Sequence, residues 1–93
     1  MFFRRSLEMG VGREEFFRLL PGAVSAWVAD GDTVRWFEGG AGGTIRLVRL
    51  ADRRVGSVVL PRHLVEIVLE ECSEAEGETF MARFHRAFLR GGG

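Results

Sequence analysis

Ninety-three residues, 46% of them hydrophobic and 28% charged, suffice for one small domain and exclude a disordered tail, a collagen-like repeat or a coiled-coil rod. Thirteen basic residues balance thirteen acidic ones, so no global field draws the chain to nucleic acid or to an acidic membrane. No apolar run approaches the length of a membrane-spanning helix.

Every basic residue is Arg, and Lys, Asn, Gln and Tyr are absent, the signature of GC-rich coding expected of a bacterial chain. The lone Cys72 cannot form an internal disulfide, so no oxidising compartment is required. The opening MFFRRSLEMG lacks the apolar stretch and small-residue cleavage site of a secretory signal, and a cytoplasmic location is expected. Residues 1–11 read as a poorly ordered extension, with Met9 a second candidate start. Residues 12–91 read as a single α+β domain, and Gly92–Gly93 as a frayed tail.

In chain order, GREEFFRLL (12–20) places Phe16, Leu19 and Leu20 on one helical face, with Glu14 and Glu15 in the first turn, where acids suit the helix dipole. Pro21-Gly22 ends this short helix. The period then falls to two. AVSAWVA and TVRWFE flank Asp30-Gly31-Asp32, a hairpin signal. Gly39–Gly43 reads as a flexible connection, TIRLVRL (44–50) as a third strand, Ala51–Arg54 as a turn and VGSVVL (55–60) as a fourth strand. Pro61 breaks that strand, and HLVEIVLE (63–70) is the fifth. Ser73-Glu-Ala-Glu76 fits a capping box, and Phe80, Phe84 and Phe88 recur at helical spacing toward a Gly91 cap. Gly77, early in this helix, has no explanation in the sequence. The fold class expected is α+β: an antiparallel β-meander of about five strands, a short N-terminal helix and a longer C-terminal amphipathic one.

Few residues carry chemistry. His63 and His85 are the only histidines, Cys72 has no partner cysteine, and no metal-ligand spacing appears, so no metal or cofactor is expected. Cys72 precedes a helix N-terminus, which favours thiolate, but Glu70, Glu71, Glu74 and Glu76 oppose it. An enzyme built on Cys72 with a histidine is thus the least favoured reading, and a small half-buried side chain ahead of a cap the most favoured. EGGAGG (38–43) lacks the Lys-Ser/Thr of a phosphate loop and precedes a strand. Charge is nevertheless divided. Arg35, Arg46, Arg49, Arg53, Arg54 and Arg62 crowd the middle, whereas Glu66, Glu70, Glu71, Glu74, Glu76 and Glu78 follow without a basic residue among them. Those six arginines are the candidate anion or nucleic-acid contact, with Trp27, Trp36 and Phe37 available to stack bases. Cross-strand Arg–Glu pairing is the competing and favoured reading.

The strands are apolar on both faces, unlike a half-exposed sheet, and two helices can cover only one face. The second face, with Val48, Leu50, Leu64, Glu66 and Val68, is therefore the candidate dimer surface. The sequence thus points to a small non-catalytic cytoplasmic binding or accessory protein acting as a homodimer, a different protein partner being the next choice for that face. The alternative is a nucleic-acid or anion-binding module. No membrane partner is expected.

Overall fold

The computed structural model describes residues 2–38 and 41–92. Its elements are β1 (Phe2–Met9), α1 (Arg13–Leu19), a 3-10 turn (Leu20–Gly22), β2 (Val28–Asp30), β3 (Thr33–Glu38), β4 (Ala41–Val55), β5 (Val58–Glu70) and α2 (Glu74–Gly92). The strands make one sheet in the order β1-β5-β4-β3-β2, each neighbouring pair antiparallel. The fold is α+β with a meander-like five-stranded sheet, a short N-terminal helix and a longer C-terminal one, as the sequence predicts. No helix among the described residues is long and apolar enough to cross a membrane.

The elements that make up the five strands differ from the sequence reading in three places. First, Phe2–Met9 are not a loose extension. They form β1, paired with β5 from Phe2↔Glu70 to Met9↔His63. The segment alternates: Phe3 is buried, and Leu7 and Met9 pack on the core, whereas Arg4, Ser6 and Glu8 point to solvent. Second, Ala23–Ala29 is not a strand. The chain continues from α1 into a 3-10 turn whose first positions accept Pro21, and Ala23 and Val24 both donate to the Leu20 carbonyl at 2.9 and 3.0 Å. Only Val28–Asp30 then pair, with β3.

Third, Ala51–Arg54 is not a turn and Pro61 does not end a strand. β4 and β5 form one long hairpin that closes at Gly56-Ser57, with Val55 opposite Val58. Gly56 supplies the positive φ (62°) that a two-residue hairpin loop needs at its first position. The register slips once, between Leu50↔Arg62 and Arg53↔Leu60, so Ala51 and Asp52 together face Pro61. Proline has no N–H to give the ladder, and the bulge places it where the ladder is already broken.

The last helix follows its sequence signals. The Ser73 amide donates to Glu76 Oε1 (2.9 Å) and the Glu76 amide to Ser73 Oγ (3.1 Å), closing the capping box. Phe80, Phe84 and Phe88 are buried against the sheet. Their rings continue a row from Trp36, stacked on Phe80 at 5.5 Å, to Phe16, 5.2 Å from Phe88. α2 runs through Gly92, so Gly91 lies within it and does not cap it. Of the expected loose segments, Gly39, Gly40 and Gly93 lie outside the described residues.

Gly77 now has its reason. A Cβ there would stand 2.0 Å from Cδ2 of Phe3, so α2 meets β1 at the one position where it has no side chain. The strand that was read as an extension and the unexplained glycine account for each other.

Candidate binding surface

Strand alternation sorts the sheet into two faces. Toward the helices, β5 presents His63, Val65, Ile67 and Leu69 and β4 presents Ile45 and Leu47, all buried. The opposite face carries Leu64, Glu66 and Val68 of β5 and Thr44, Val48 and Leu50 of β4, all half-buried, together with the exposed Arg46. Both helices lie on the first side. Among the described residues no element covers the second. Val48, Leu50, Leu64, Glu66 and Val68 thus share this open face.

The long hairpin extends that face. Beyond the bulge, the pairs Arg53↔Leu60 and Val55↔Val58 stay in step with Leu64 and Val68. Residues 51–60 are all exposed, including Val55, Val58 and Leu60 at 56, 54 and 42%. They form a two-stranded arm, since β1 pairs with β5 only as far as Met9↔His63 and β3 with β4 only as far as Thr33↔Arg46. The arm contributes to a molecule 46 Å long and only 25 by 20 Å across. Its base is clamped at the bulge. Arg62 bonds the Ala51 carbonyl (2.9 Å) and pairs with Glu8, while Arg49 pairs with Asp52 and donates to the Arg62 carbonyl (3.2 Å). At the other end of the open face, Phe2 and Phe37 flank Glu70 and are 60 and 83% exposed.

The six arginines are not brought together as one site. Arg35, Arg46, Arg53 and Arg62 point to the open face, and Arg49 and Arg54 to the other side by their register. Three are held by carboxylates: Arg46 by Glu66 across the ladder at 2.6 Å, Arg49 by Asp52 and Arg62 by Glu8. Glu66 and Glu8 stand on neighbouring strands, the cross-strand neutralisation expected of a mixed-charge sheet. Arg53 and Arg54 stand on the arm.

The residues weighed for catalysis are dispersed. His63 is buried with Nδ1 2.8 Å from the Val11 carbonyl oxygen, and His85 is exposed with its ring edge-on to Phe84. Cys72 is half-buried; burial first, then the charges of Glu76 and Glu74, raise its thiol pKa, which disfavours thiolate. It borders a cavity of about 300 Å³ lined by Trp36, Leu69, Glu70, Glu76 and Phe80 among others. Trp36 is committed to the core and Trp27 is half-buried against it, so of the three aromatics considered for base stacking only Phe37 is displayed.

Sequence reasoning missed Phe2 and the arm residues Val55, Val58 and Leu60. The signal was there: VGSV between two β-branched runs is a two-residue hairpin with glycine in its first turn position. No protein-family model, no curated protein and no solved structure matches the chain.

Proposed function

We propose that this chain is a small, non-catalytic binding protein that works as a homodimer through the open face of its sheet. One observation carries the reading. A stripe of apolar side chains runs the length of the β4–β5 hairpin, from Val68 through Leu64, Val48 and Leu50 to Leu60, Val55 and Val58, on the side without helices. Soluble monomers rarely expose a contiguous apolar patch of that extent, and an isologous contact with a second copy covers it on both molecules at once. The lone thiol of Cys72, held away from its reactive form, suits a reducing bacterial cytoplasm.

An anion or nucleic-acid module built on the arginines has weaker support, because Arg46, Arg49 and Arg62 already face carboxylates. The test is light scattering over a wide dilution range. The expected mass is twice the 10.4 kDa of one chain, falling to that of one chain on Val68→Glu with the circular-dichroism spectrum retained. A mass of 10.4 kDa throughout, unchanged by Val68→Glu, overturns the proposal. In that case a salt-dependent mobility shift with DNA or RNA would favour the arginine reading.

A further inference from the structure

The open face is self-complementary in only one orientation. Resting on the homodimer proposed above, we infer that two copies pack open face to open face with their long hairpins antiparallel, so that each arm lies on the far end of its partner's sheet.

The register of the face supplies the argument. Counted along β5, its rows are Glu70 with Phe2 and Phe37, Val68 with Thr44, Glu66 with Arg46, Leu64 with Val48, Arg62 with Leu50, Leu60 with Arg53, and Val58 with Val55. A two-fold axis through the Leu64–Val48 row, lying across the strands, superposes this series on its own reverse. Leu64 then meets Leu64 of the second copy, Glu66 meets Arg62, Val68 meets Leu60, and the Val55–Val58 tip meets Phe2 and Phe37 beside Glu70. Apolar rows fall on apolar rows, and the acidic position opposes a basic one. The most exposed side chains of the two ends, Phe2 and Phe37 at one and Val55 and Val58 at the other, are covered by the same contact.

The other two-fold arrangement, with its axis along the strands, lays arm on arm. It sets Arg53 and Arg54 of one copy beside those of the other and leaves the acidic ends together, an electrostatic mismatch at both extremes. The antiparallel arrangement agrees with the near-aligned packing of stacked sheets. Its size is also sufficient. Twelve steps along β5 span about 40 Å, and a contact about 20 Å wide over that length covers about 800 Å² per copy, the area of a standard stable interface.

The arrangement is tested by site-directed cross-linking in a Cys72→Ser background, so that only introduced thiols react. The reagent is a short bismaleimide whose reach matches the about 10 Å between packed sheets. Val58→Cys and Glu70→Cys are both at exposed positions and leave the core untouched. Mixed copies of these two variants are expected to link, Leu64→Cys to link with itself, and Val58→Cys alone to stay unlinked. A dimeric mass with Val58→Cys linking to itself and not to Glu70→Cys overturns the antiparallel arrangement while leaving the homodimer standing. A dimeric mass in which neither pair links overturns it as well. A monomeric mass for the parent chain overturns the homodimer and this arrangement with it.

Discussion

Replacing Gly77 by alanine tests the joint between β1 and α2, because the helix and the contact demand opposite outcomes. In an open helix interior the substitution stabilises by about 1 kcal/mol, through lower backbone entropy in the unfolded chain. Here the new Cβ would lie 2.0 to 2.3 Å from three ring carbons of Phe3, which is only 3% exposed and has nowhere to turn. Overpacking a fixed core site costs about 1–3 kcal/mol, and contacts this short belong at the upper end. The expected net effect of Gly77→Ala is therefore a loss of about 2 kcal/mol, which in a domain of this size lowers the thermal midpoint by about 10 °C. Phe3→Ala alone should cost about 3–5 kcal/mol as a large-to-small core change. In the Phe3→Ala background the clash is gone, and Gly77→Ala should revert to a gain of about 1 kcal/mol, a coupling near the top of the range for touching residues. Urea denaturation of the four proteins, with unchanged slopes, measures the cycle. A neutral or stabilising Gly77→Ala in the parent chain would refute the close approach of β1 to α2.

Removing residues 2–9 should abolish cooperative unfolding, since β5 would lose its edge partner and the core would lose Phe3; a sharp transition in the truncated chain contradicts this. Ser73→Ala should lower stability by about 1 kcal/mol through the lost cap. The Ser73 amide and hydroxyl hold the Glu76 carboxyl below its ordinary value of 4.5, so this contribution is full above that value and fades as the pH falls through the lowered one; Glu76→Gln should flatten that part of the stability profile. Cys72→Ser should leave both fold and mass unchanged, and the parent thiol should alkylate more slowly at neutral pH than a free cysteine; fast labelling would contradict its raised pKa.

The sequence discloses those elements whose signals are local. The capping box at Ser73, the phenylalanine period of α2 and the Gly31 turn each rest on contacts within a few residues, and each is found where the pattern places it. β1 is different. FFRRSLEM holds two adjacent arginines and no turn signal before it, and its inward positions include Arg5, which reads as solvent-exposed until Glu74 and Glu78 of α2 stand opposite it. Its partner strand is more than fifty residues away, so no local pattern announces the pairing. Gly77 was the one residue that registered this contact in the sequence, as a glycine that a free helix would not choose.

The binding face shows the same division between local and distant causes. Alternation alone assigns Leu64, Glu66 and Val68 to one side of β5, and Val48 and Leu50 to the matching side of β4, because period two needs no knowledge of the fold. Where the face ends is a question of register, and there proline misleads. Pro61 reads as a strand terminator, which would make 51–54 a turn and stop the apolar stripe at Leu50. The bulge reverses this: by letting Ala51 and Asp52 share one partner, it absorbs the missing N–H and carries the ladder on for another five residues of β5. That extension turns a patch in the middle of the sheet into a stripe reaching from Glu70 to Val58. A short patch could be covered by many partners in many orientations. A stripe with Arg62 and Glu66 on either side of Leu64, and exposed apolar groups at both ends, is matched by its own reverse, and Pro61 at the bulge is what gives the stripe its length.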